Sequence, residues 1–263
     1  MLEALKKFKF TRRSFSYPYI IFMLLFVVTP LVLILVNAFL VDDKLSVQNF
    51  ANFFREQASL VVLGNSLLVG VVTTLLCILI GYPVAYILMK YKMNRFFVVL
   101  FILPMWVNFL IRTLATKAIF VALNIELGMG TVVFGMVYNY LPFMILPIHT
   151  TLTSIDKSYF EASQDLGANG VTTFLKTTLP LSLPGVLSGI IMVFIPTIST
   201  FAISQLLSDS TIFLFGDSIQ TKFDQGMFGV GSVMSLVMLI MVLLTNLIMN
   251  RLPKSENAGR NIW

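Results

Sequence analysis

The chain has 263 residues, 57% of them hydrophobic and only 11% charged, with a mean hydropathy of +0.91. That profile excludes an ordinary soluble domain and places the chain among integral membrane proteins. The net charge of +6 does not point to nucleic acid, because the basic residues flank apolar runs and form no patch on a soluble face. The single Cys77 excludes an intrachain disulfide, and the lone His149 offers no metal cluster.

In chain order, a basic amino tail (1–16) carries Lys6, Lys7, Lys9, Arg12 and Arg13. A first apolar run at about 17–40 is too long for the apolar core of a signal peptide and lacks a small-x-small cleavage site, so it is expected to be retained as a span. A polar segment follows, then spans at about 60–89, 96–116, 131–152, 184–207 and 229–250. The loop up to Gly130 has room for a short surface helix. A body of six transmembrane helices (17–250) is thus expected between the basic tail and a polar carboxyl tail (251–263), an all-α integral membrane fold.

Six spans put both ends on one side, and Lys and Arg decide which. Thirteen fall on the face that holds the two tails, the turn after span two and the loop between spans four and five; five fall on the other. Both termini and that loop are therefore expected in the cytoplasm. The outer face holds Asp42, Asp43, Glu56, Glu126, Asp209, Asp217 and Asp224. Two readings stay open: a mildly anionic vestibule that steers a cationic solute, or acids that merely avoid the positive-inside face.

The loop between spans four and five, about 153–183, is the most polar part of the chain. Asp156 or Ser154 can cap a short helix running to about Leu166. Gly167 sits where a chain leaves a helix in the left-handed region. Asn169-Gly170 is a second turn signal. A second short helix from Val171 is expected to stop at Pro180.

No span carries Asp, Glu or Lys at its middle, which argues against a proton-coupled carrier. Arg112 lies near the outer end of span three, where it can snorkel. The polar and aromatic content within the spans includes Trp106 and Asn108 after Pro104, and Tyr138 and Asn139 before Pro142. These can line a pathway in which aromatic faces attract a cation; interfacial anchoring is the other reading for the tyrosines. Pro30, Pro83, Pro104, Pro142, Pro147 and Pro196 fall inside spans, and Gly185-x-x-x-Gly189 reads as close helix packing. No Gly-x-x-x-x-Gly-Lys-Ser/Thr occurs, so the chain has no P-loop for ATP.

The spacing Glu161-Ala162-Ser163, Gly167, Leu179-Pro180 resembles the EAA loop of ABC-importer permeases, with Ser163 in place of a second Ala and Thr177 where Ile is usual. Gly81-Tyr82-Pro83, Pro104-Met105-Trp106-Val107-Asn108 with Ile111-Arg112, and Leu141-Pro142 through Pro147 extend the likeness to the first permease subunits of spermidine/putrescine ABC importers. That resemblance implies a type I importer permease fold, multi-pass in the plasma (inner) membrane of a prokaryote. It assigns Glu161, Ala162, Ser163, Asp165, Gly167, Leu179 and Pro180 to ATPase coupling. It implies as partners a second homologous permease, two ATPase subunits that bind ATP and Mg, and an extracytoplasmic polyamine-binding protein. The chain itself would hold no cofactor and hydrolyse nothing. A carboxylate for the polycation is expected from the second permease. Permeases for thiamine, iron or an oxyanion, and a stand-alone channel or carrier, are the alternatives.

Overall fold

The structure is a computed structural model that describes residues 16–41, 44–90, 101 and 103–251. The tails at 1–15 and 252–263, Asp42, Asp43, Lys92 and Arg95 lie outside the described residues. Ten helices are described: α1 (Ser16–Phe39), α2 (Gln48–Arg55), α3 (Gln57–Lys90), α4 (Phe109–Ala122), α5 (Met129–Ser154), α6 (Lys157–Asp165), α7 (Gly170–Ser199), α8 (Ala202–Leu207), α9 (Phe215–Asp224) and α10 (Phe228–Arg251). A short antiparallel ladder, β1 (Leu40–Val41) with β2 (Lys44–Leu45), follows α1.

Five of these helices, α1, α3, α5, α7 and α10, are long and apolar enough to cross a membrane. The expected boundaries of spans one, two, four and six agree with them to within a few residues. Span three does not read as one helix in its described part. A 3₁₀ turn (Leu103–Trp106) carries Pro104, and α4 starts only at Phe109, where the Asn108 side chain accepts the Leu110 N–H at 2.8 Å. The helix then continues past the expected end to Ala122, through the loop expected to hold a separate surface helix. At 14 residues it covers about 21 Å, less than a hydrocarbon core.

Span five also differs. The helix begins at Gly170 and ends at Ser199; Thr200 turns extended (φ −70°, ψ 149°) and α8 resumes at Ala202. Pro180 does not stop it. The turn Phe174–Thr178 is widened to π geometry, with the Leu179 N–H reaching back to the Phe174 carbonyl. A proline interrupts a helix by clashing with the carbonyl four residues earlier and by lacking an N–H. A wider turn just before it makes room for the ring. The same device precedes Pro30 in α1, where Leu24–Val28 is a π turn.

The core has three parts. Around α3, α5 and α7, Cys77, Tyr82, Ala85, Met144, Ile145, Ile148 and Val193 pack together. Further along the same bundle, Val69, Phe120, Val132, Met136, Ile203 and Leu207 bring in α4 and α8. Ala38, Phe53, Phe215, Val233 and Met234 fasten α1, α2, α9 and α10. The polar segment after span one supplies α2, whose Asn49 Nδ2 donates to the carbonyls of Ala38 (3.3 Å) and Leu40 (3.0 Å), satisfying the end of α1.

Gly185 and Gly189 do pack against a neighbouring helix. A Cβ added to Gly185 would sit 2.7 Å from the Pro147 carbonyl oxygen and 2.6 Å from Thr151 Oγ1, and one at Gly189 would sit 2.5 Å from Met144 Sδ. Small residues at four-residue spacing let α7 lie directly on α5. Replacing Gly185 by Val should destabilise the protein by about 1–3 kcal/mol through overpacking. Gly64→Ala, where nothing lies within 4 Å of the added Cβ, should be neutral or mildly stabilising. Thermal denaturation of the purified protein in detergent, followed by size exclusion, distinguishes the two.

Candidate functional site

Two regions hold the expected site residues, one beyond the carboxyl end of α5 and one beside its middle. At the carboxyl end of α5, the Asp156 side chain caps α6 by accepting the Ser158 N–H at 2.9 Å, and that hydrogen bond holds its carboxyl below the usual range. The helix closes on a Schellman arrangement. The Gly167 N–H donates to the Gln164 carbonyl (2.8 Å), the Ala168 N–H to the Ser163 carbonyl (3.1 Å), and Gly167 sits at φ +78°. Asn169 then caps α7 by accepting the Thr172 N–H at 2.8 Å. Ser163 and Thr173 share a hydrogen bond of 3.0 Å between their hydroxyls, which ties α6 to the start of α7.

Glu161, Ala162, Asp165, Gly167, Leu179 and Pro180 are exposed, and Ser163 is half-buried. Leu166, Val171 and Leu175 add exposed apolar surface beside them, at 88%, 68% and 54% exposure. Such a cluster of exposed apolar side chains on a polar connecting segment is chemically suited to contact with another protein surface. From it a packed route leads inward. The Phe174 ring meets Tyr82 and Tyr86 of α3 edge-on, at centroid distances of 5.8 and 5.2 Å, and the Tyr82 and Ser182 hydroxyls are 2.8 Å apart.

The second region lies at the middle of the bundle. Trp106, Asn108 and Asn139 line one hollow of about 490 Å³ together with Arg112, Tyr140 and Thr200. Tyr138 faces a neighbouring apolar cleft of about 530 Å³ with Pro104, Ile111 and Phe134, on the other side of Arg112. Trp106 is 87% exposed. Asn139 is buried; its Nδ2 donates to the Gly135 carbonyl at 2.8 Å, while its Oδ1 meets no donor among the described residues. The structure therefore gathers three of the four expected pathway residues around one hollow and sets Tyr138 next door.

Two residues carry more than the sequence showed. Arg112 does not snorkel. It is buried, with its guanidinium carbon 5.8 Å from the centre of the Tyr138 ring. Its isolation within an apolar run was the available signal. Asp217 is not a solvated outer-loop acid. It lies outside the long membrane helices yet is fully buried, accepting Ser204 Oγ (2.6 Å) and the Leu214 N–H (2.7 Å). Those bonds join α8 to α9 next to the break at Thr200. Only the fold brings Ser204 to it, so no local pattern announces it.

Burial pushes the Asp217 carboxyl up to about 6, against the pull of its two hydrogen bonds. A carboxyl raised above its unfolded value favours the folded state when protonated. That contribution is complete below about pH 4 and is lost as pH rises through about 6. Amide exchange in 202–224, corrected for intrinsic rates, should show stronger protection at pH 5 than at pH 7.5. Asp217→Asn should flatten the difference; an unchanged dependence would place its origin elsewhere.

Residues 77–255 match the family model of the binding-protein-dependent transport system inner membrane component. The spermidine/putrescine transport system permease protein PotB of Haemophilus influenzae is 33% identical over 227 residues, spanning 76% of this chain and 79% of that protein. Its Escherichia coli counterpart is 32% identical over 226 residues, spanning 76% and 82%. Among solved structures, a bacterial ABC transporter involved in alginate import superposes with a TM-score of 0.67 at 14% identity, covering 92% of this chain and 96% of that one.

Proposed function

The chain belongs to the inner membrane components of binding-protein-dependent transport systems, and from that membership we propose that it is the first permease subunit of an ATP-driven importer of spermidine and putrescine. The observation that carries the transport role is the exposed α6 segment, capped at both ends and tied to a membrane helix by the Ser163–Thr173 hydrogen bond. The polyamine assignment rests on relatives of about one-third identity that span most of both chains.

In this reading α6 docks into a groove of the ATPase subunit, with Glu161 and Asp165 in polar contact and Leu166 in apolar contact. Gly167 holds the bend. The Ser163–Thr173 bond passes displacement to α7, and Phe174 passes it to α3 between Tyr82 and Tyr86. Two ATPase subunits bind ATP and Mg and supply hydrolysis, so this chain is a transport subunit and no enzyme. A second homologous permease completes the pathway, and an extracytoplasmic binding protein delivers the polyamine. Given six crossings of a prokaryotic inner membrane, the Lys and Arg bias supports both termini in the cytoplasm.

At the hollow, Trp106 offers an exposed aromatic face to an ammonium group, worth about 0.5–2 kcal/mol per contact. One observation favours a second reading: the buried Arg112 guanidinium suits an acidic or oxyanion solute better than a polycation. Uptake of labelled spermidine by cells lacking only this chain, with and without its restoration, separates the two. Energy-dependent uptake competed by putrescine and not by thiamine establishes the polyamine reading; no change on restoration refutes it.

Two variants probe the roles. Gly167→Val places a β-branched residue at φ +78°, costing about 1–2 kcal/mol locally. It should abolish uptake while the protein still reaches the membrane. Trp106→Ala should lower uptake severalfold without loss of ATPase association; unchanged uptake kinetics would remove Trp106 from the pathway.

A further inference from the structure

Arg112 is the one basic side chain buried among the described residues, at 8% exposure. Its Nε and Nη1 are buried and meet no acceptor among those residues. A guanidinium does not shed its charge, and a buried charge without a counter-ion is a costly arrangement. No described carboxylate of this chain lies within 4 Å of the Arg112 guanidinium nitrogens, Asp217 with its unpartnered Oδ1 included. Glu56 pairs with Lys222 and Asp209 with Lys117. Asp217 is bound by Ser204 and Leu214, and Asp224 accepts from Gln220. Asp156, Glu161 and Asp165 sit on the α6 segment, beyond the far end of α5, and Glu126 lies in the loop before that helix.

The hollow at Arg112 opens beside Trp106, which is 87% exposed, and Ile111 in the cleft next to it is 61% exposed. Hydrocarbon does not suit a face with a guanidinium at its edge. A polycation does not suit it either unless that positive charge is neutralised. Both constraints ask for an acid from another protein chain.

We propose that Arg112 receives a carboxylate from the second permease subunit, across a face made by the 3₁₀ turn (Leu103–Trp106) and α4. The pair joins the two membrane halves and cancels the one fixed positive charge at the hollow. The inference rests on the proposed role insofar as it needs a second permease; it does not depend on which solute is carried.

The test uses the whole transporter, expressed with an affinity tag on the second permease. Arg112→Glu should lower the amount of this chain recovered with the tagged permease by roughly tenfold or more. Arg112→Lys should keep most of it. Arg112→Met should reach the membrane at the wild-type level, which separates loss of pairing from loss of folding. Single acid-to-Lys changes in the second permease are then combined with Arg112→Glu. One of them should restore recovery with Arg112→Glu and impair it with the wild-type chain. The proposal is overturned if Arg112→Glu assembles normally, or if no acid-to-Lys change restores it. Restored assembly in a transporter that does not carry spermidine would keep the pairing and refute the polyamine reading. Spermidine uptake with normal assembly of Arg112→Glu would do the reverse.

Discussion

The approach of α7 to α5 through Gly185 and Gly189 is the contact on which the rest depends. Where the surroundings of the helices are as apolar as the helices, burial of oil gives little preference for one helix neighbour over another. Close backbone approach and shape must supply it. With α7 set against α5 there, Val193 and Val186 meet Met144 and Ile148, and α3 fills the third side with Cys77, Tyr82 and Ala85. The hollow and the exposed α6 segment lie at opposite parts of this same three-helix frame.

The route between them is short of slack. Ser163 bonds Thr173, the helix is unbroken from Gly170 to Ser199, and Tyr82 bonds Ser182. The departure from a second Ala at position 163 has a use in this chain, since only a hydroxyl makes the first of those bonds. On the other side of the hollow the backbone is interrupted twice, at Asn108 and at Thr200. Irregular backbone is tolerated at membrane depth where protein or a water-filled space surrounds it. Both interruptions border the same hollow.

Much of this was legible in the residues. Long apolar runs gave four spans nearly to the residue, because a helix in oil must be about as long as the oil is thick. Asp156 and Gly167 marked the ends of α6 correctly, since capping and left-handed turns are local chemistry. The failures were also of one kind. Pro180 reads as a stop, yet a π turn accommodates it. The run from 184 to 207 reads as one span, yet it breaks at Thr200, where nothing apolar is interrupted. Arg112 and Asp217 read as solvated charges because burial is a property of what packs around a residue, and sequence spacing carries no record of it. The gathering of Trp106, Asn108 and Asn139 depends on α4 lying against α5, which periodicity alone does not specify.

The π turn at Phe174–Thr178 also changes the angular phase of its helix. Each residue of a regular α-helix advances the side-chain direction by about 100°, so one residue accommodated in a widened turn rotates everything beyond it by that amount. The first turn of α7 can therefore direct Thr173 at Ser163, while Ser182, Gly185 and Gly189 are directed at α3 and α5. A strictly regular helix would have to sacrifice one of these alignments. The bulge thus works as a universal joint, setting the azimuth of the helix inside the bundle independently of the segment that enters it from outside.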